Sequence, residues 1–158
     1  MNEATNGAVG AVGADAARWW FGGRAVVLTG AAQTGGGLAV IEVTDPPGEQ
    51  TPLHVHHRED ETFYVLEGSV TIEVDGAATT LGPGDLAVGP RDVPHRYTVG
   101  PEGCRMLFIC TPGGFEDFVL ATSRPAEGPG LPPPSDEMPD MEWLAARARD
   151  AGCEVLDG

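Results

Sequence analysis

The chain has 158 residues, enough for one domain with its own apolar core and too few for two ordinary ones. Its 24 acidic residues outnumber 9 basic ones, all arginine, and the formal charge of −15 would be repelled by nucleic acid and by anionic membrane surfaces. With 23 glycines and 14 prolines the composition suits short strands joined by tight turns; the 3 cysteines are odd in number and lack a C-x-x-C spacing, which points to a reducing, cytoplasmic setting without a disulfide framework.

Residues 1–17 read as a flexible Gly/Ala-rich lead. They lack the basic start and apolar core of a signal peptide, and no window approaches the roughly 18 apolar residues of a membrane span. Trp19, Trp20 and Phe21 follow together, and such a cluster is expected to dock on the domain as a lid or to form a subunit contact. Residues 18–123 form the expected β domain. Between Arg24 and Pro112, runs such as RAVVLT, GLAVIEVT, TPLHVHH, ETFYVLEG, SVTIEVDG, DLAVGP and CRMLFICT alternate with Gly/Pro punctuation, the pattern of an all-β sandwich or barrel. Glu67-Gly68 is read as a turn between FYVL and VTIEV, and Asp75-Gly76 as a hairpin. The strict alternation of Val70 to Val74 predicts one buried and one wet face; Met106 to Cys110 is apolar on both faces and should be a central, covered strand.

The tail changes character. Gly114 to Ser123 predicts a short helix with Phe115, Phe118 and Val119 on one face. Residues 124–158 hold a proline-rich connector and a helix from Asp140 to about Ala151, capped by Asp140, with Met141, Trp143, Leu144 and Ala148 as its apolar stripe.

The chemistry concentrates on four histidines. His54, His56 and His57 lie within four positions, and His95 stands apart. Residues two apart on a strand share a face, so His54 and His56 point together into the barrel and His57 points away. A chain reversal through Arg58, Glu59 and Asp60, taken as a solvated turn, brings Glu61 toward the imidazoles. Phe63 shares the face of Glu61, and Tyr97 that of His95. Both suit the core, with a substrate pocket as their alternative role. Cys110 reads as a small buried hydrophobe, and Gly82-Pro83-Gly84-Asp85 as a turn.

These residues carry a resemblance to the cupins. The family's first motif, G-x5-H-x-H-x4-E-x6-G, is met at every spacing by Gly48, His54, His56, Glu61 and Gly68. Its second, G-x5-P-x-G-x2-H-x3-N, is met by Gly84, Pro90 and His95, with Asp92 and Val99 replacing the later glycine and the asparagine. The resemblance covers roughly Gly37 to Pro112. It implies a double-stranded β-helix, a jelly-roll-like barrel with short C-terminal helices, and one divalent metal ion on His54, His56, Glu61 and His95. Three imidazoles and a carboxylate suit Fe, Mn, Co, Ni, Cu or Zn.

HVHHREDETFYVLEG, GPGDLAVGPRDVPHRY and TPGGFEDFV are further similar to small single-domain bacterial cupins resembling quercetin 2,3-dioxygenase. That likeness implies metal-dependent oxygenation of a flavonol-like or other enolisable aromatic small molecule, with Glu61 as ligand and base, and a homodimer. A metal-dependent, oxygen-independent cyclase or isomerase of a polyketide-like substrate is the first alternative. A non-enzymatic ligand-binding cupin is the second.

Overall fold

The computed structural model describes residues 16–157, so most of the expected lead lies outside the described residues; its last residue, Ala17, already belongs to a strand. In chain order the elements are β1 (Ala17–Trp20), β2 (Gly23–Thr29), α1 (Ala31–Thr34), β3 (Ala39–Asp45), β4 (His54–His56), β5 (Asp60–Val74) and β6 (Ala77–Leu81). They continue through β7 (Leu86–Gly89), β8 (His95–Thr111), α2 (Phe115–Thr122), β9 (Arg124–Pro125), α3 (Met141–Asp150) and β10 (Cys153–Val155). No helix among the described residues is long and apolar enough to cross a membrane.

Two long antiparallel strands, β5 and β8, form the spine of the barrel, pairing from Asp60↔Thr111 to Val74↔His95. Along one ladder runs the order β10-β4-β8-β3-β2-β1-β9, while β5 also pairs with β6 and β7. The expected turn at Glu67-Gly68 is instead a kink inside β5, where the register against β8 shifts twice but the strand continues. Gly68 takes φ 76° there, and a Cβ at this position would collide with the Gly103 carbonyl of the neighbouring strand. A bulge of this kind bends a strand without ending it, which lets one segment serve both sheets of the barrel.

The other turn signal is a turn. Asp75 and Gly76, at φ 50° and 79°, join β5 to β6 as a two-residue hairpin with Val74 opposite Ala77. Both left-handed angles match the type I′ geometry that favours Asp-Gly. Strand alternation then sorts the side chains. Val70 and Ile72 are buried, as are Met106, Phe108 and Cys110; Leu107 and Ile109 are half-buried, so the strand expected to be covered on both faces is fully covered on one only. β8 is central, between β3 and β5.

Both ends of the described chain return to the barrel. In β1, Trp19 and Trp20 are buried; their indole N–H groups donate to the Gly130 carbonyl and to Thr122 Oγ1, each at 2.9 Å. Only Phe21 of the aromatic cluster is left half-exposed. At the other end α3 begins at Asp140, whose carboxylate accepts from the backbone N–H groups of Glu142 and Trp143. Its buried face differs from the expected stripe: Ala148 is buried and Leu144 half-buried, but Met141 and Trp143 are exposed. After α3 the chain adds β10 to the edge of β4, with Cys153 opposite His56.

Candidate metal centre

Three elements deliver the four residues to one point. β4 contributes His54 and His56, the second residue of β5 is Glu61, and His95 opens β8 directly opposite His54. Glu61 is not a ladder neighbour of His95; its carboxylate reaches across the barrel interior to the imidazole. One ligand atom from each of His54, His56, Glu61 and His95 can be chosen so that all four lie within 4.8 Å of one another. His57 is turned outward and half-exposed, its two ring nitrogens donating to Asp92 and Glu154 at 2.7 and 3.0 Å.

The outer nitrogens of the three inward rings decide what the inner ones can do. His54 Nδ1 donates to the Pro52 carbonyl at 2.8 Å, His56 Nδ1 to the Glu59 carboxylate at 2.6 Å, and His95 Nδ1 to the Val93 carbonyl at 3.2 Å. Each partner is an acceptor, so each Nδ1 carries the proton and each neutral ring keeps a lone pair on Nε2. His95 Nε2 lies 2.9 Å and His56 Nε2 3.0 Å from the same oxygen, Glu61 Oε2. His56 Nε2 is nevertheless buried without a hydrogen-bond partner, because its approach to that oxygen lacks hydrogen-bond alignment. An orphaned ring nitrogen in a buried cluster of nitrogen and carboxylate donors is what a metal site looks like from the protein side. The donor set fits one divalent transition ion.

Beside this centre opens a pocket with about 120 Å³ of free space. Trp20, Phe21, Pro52, Phe108, Phe115 and Phe118 make much of its lining, with His54, His56, Glu61 and Tyr97 supplying polar groups and no arginine among the described lining residues. Of the two aromatic residues weighed as pocket or core, Tyr97 lines it. Phe63 does not: it is 1% exposed and packs its ring against those of His95, Tyr97 and Phe108.

Residues 41–110, spanning β3 to β8, match the Cupin_2 family, described as a cupin domain. They form a cupin domain. Quercetin 2,3-dioxygenase of Bacillus subtilis (strain 168) is 35% identical over 95 residues, 60% of this chain and 28% of that protein. Polyketide synthase CurC of Streptomyces cyaneus is 34% identical over 87 residues, 54% of each chain. The similarity thus spans only part of either relative. Among solved structures, an RmlC-like cupin from Shewanella frigidimarina shares the fold, with a TM-score of 0.58 over 69% of this chain and 94% of that one at 24% identity.

Within the cupin barrel the charges of the centre are strongly coupled. Burial alone would raise the Glu61 carboxyl, but His56 and His95 beside it hold it well below the usual carboxylate range. Burial likewise works against a charged His56, yet Glu61, Cys153 and Glu59 push its pKa up to about 12. His54 goes the other way, to about 4, because burial and the neighbouring His95 and His56 outweigh the attraction of Glu61. A proton on His56 and a metal ion therefore compete for one lone pair.

Three residues around the cupin centre gave no sign of a role in the sequence. Glu59, taken as part of a solvated turn, is 2% exposed and anchors His56. Cys153, at the far end of the chain, brings its sulfur to 3.1 Å from His56 Nδ1. Gly89 pairs with Glu61 and leaves room for the His95 ring, since a Cβ there would stand 3.0 Å from His95 Nδ1.

Proposed function

We propose that this chain is a metal-dependent, dioxygenase-like cupin acting on a flavonol-like or other enolisable aromatic small molecule. The observation that carries the reading is the pairing of a four-donor centre with an aromatic, arginine-free pocket. Such a lining favours a flat, apolar ligand that is polar only where it meets the centre, and away from the centre its described residues offer no arginine to a dicarboxylate or a sugar acid. The similarity to quercetin 2,3-dioxygenase supports the same choice.

His54, His56 and His95 through Nε2, with Glu61 through its carboxylate, would hold one ion. Bound there, the ion supplies Lewis acidity toward a substrate oxygen and open positions for substrate and dioxygen. The chain's own part follows from its geometry. Pro52, Glu59 and Val93 fix the imidazole tautomers. Glu61, held ionised, is in the form that accepts a proton from a substrate hydroxyl, and loosening of its contacts with His56 and His95 raises its basicity. Phe108, Phe115 and Phe118 exclude water and offer rings for stacking.

The similarity to polyketide synthase CurC favours one second reading, an oxygen-independent cyclase or isomerase of a polyketide-like substrate using the same centre. Oxygen uptake by metal-loaded protein with a panel of flavonols and simpler enols separates the two. Uptake that requires both metal and substrate supports the oxygenase; equal turnover under argon eliminates it.

A further inference from the structure

Phe21 occupies a conformation that disfavours a bulky side chain. It forms the turn between β1 and β2 at φ 52°, left-handed backbone that non-glycine residues rarely adopt. The turn is anchored from both sides: Trp20 pairs with Gly23, and its indole N–H is tied to Thr122. The Phe21 ring is held loosely by comparison. It is 49% exposed, and its aromatic contact is with Trp20 at 5.1 Å between centroids. Yet this ring lines the pocket beside the metal centre, so it stands at the rim, as does half-exposed Val155 of β10.

The space behind the rim is small. Its 120 Å³ compares with the roughly 150 Å³ of an apolar cavity that holds one benzene ring. A flavonol has a fused two-ring system and a pendant third ring, so it is not enclosed while Phe21 stays in place. We propose that the pocket, open at its rim, accommodates one neutral aromatic ring bearing an enol or two adjacent hydroxyls, and that Phe21 sets this size limit by standing in the way of larger planar molecules until its ring turns aside. The proposal rests on the reading of this pocket as the substrate site.

The test compares catechol, with one ring, and quercetin, with three, binding to the full chain loaded with redox-inert Zn(II), by calorimetry. Wild type is set beside Phe21→Ala and Phe21→Gly; glycine suits the left-handed turn and so guards against a folding defect. Displacing one ordered side chain is expected to weaken binding by about tenfold, so both variants should bind quercetin about tenfold more tightly and catechol almost unchanged. Equal changes for the two ligands, no change for either, or no binding of either by any of the three proteins would overturn the proposal. Oxygen uptake is measured separately on Fe(II)-loaded wild type. A selectivity shift without uptake supports the size limit and removes the oxygenase reading; uptake without a shift does the reverse.

Discussion

Two of the carboxylates that the barrel buries, Glu61 and Asp45, sit on opposite terms. Glu61 sits among imidazoles and stays ionised at the centre. Asp45, at the end of β3, has one neutral partner, the Tyr97 hydroxyl donating at 2.8 Å, and burial pushes its pKa up to about 6, the Tyr97 bond opposing and Glu49 adding to the rise. Tyr97 itself is driven well above its ordinary value by burial and by Asp45, so it remains a donor. A buried negative charge is tolerated where positive or metal charge meets it, and is costly where it meets only a hydroxyl. The first carboxylate faces the imidazoles of the candidate metal centre; the second faces a hydroxyl and carries the cost of its burial.

The sharpest way to break this contrast is at His56. His56→Ala removes one donor and leaves Glu61 short of its main counter-charge, so most bound metal should be lost on elemental analysis. Retention of full metal content would mean that the ion sits elsewhere.

The next effect belongs to Asp45. Its folded pKa lies above the ordinary 3.8, so its contribution to stability is complete below about pH 3.8 and disappears as pH rises through about 6. At pH 8 the ionised form opposes folding by up to roughly 3 kcal/mol, about two pKa shifts of 1.36 kcal/mol each. Asp45→Asn should therefore raise stability in urea at pH 8 and flatten its pH dependence between pH 4 and 7. A variant less stable at pH 8 would show that the carboxylate is better compensated than its surroundings imply.

A smaller change is expected at Glu59. Glu59→Gln keeps an acceptor for His56 but removes its charge, and metal affinity should fall by about 10- to 100-fold, as is typical for partners of ligating histidines. His57→Ala should do least, retaining metal and showing only a small change in Tm, because its ion pairs with Asp92 and Glu154 are exposed. Equal metal loss in His56→Ala and His57→Ala would refute the strand register of β4.

The legible parts of the site were those written in short-range spacing. Parity on one strand separates His54 and His56 from His57, and the motif spacing names Glu61 and His95. Glu59 was opaque because its place beside His56 is shared with Cys153 of β10, at the far end of the chain; the backbone N–H of His57 likewise donates to the Gly152 carbonyl at 2.8 Å. Nothing near Glu59 announces a strand so distant in sequence. The kink at Gly68 was opaque for a different reason: glycine at positive φ marks bulges and turns alike, and only the continued pairing of β5 with β8 tells them apart. On α3, Met141 and Trp143 look like a buried face by periodicity, but the helix packs through Ala148 and Leu144 and leaves them exposed.

The proposed ion would be held by His54, His56, His95 and Glu61. A second trio, His56, Glu59 and Cys153, is also compact enough to bind one. X-ray absorption at the edge of the bound metal distinguishes them, because nitrogen and oxygen ligands scatter at about 2.0–2.2 Å and a thiolate at about 2.3 Å. One ion per chain with a shell of imidazole nitrogens and carboxylate oxygen is the predicted result. A sulfur neighbour would place the ion on Cys153 and contradict the account.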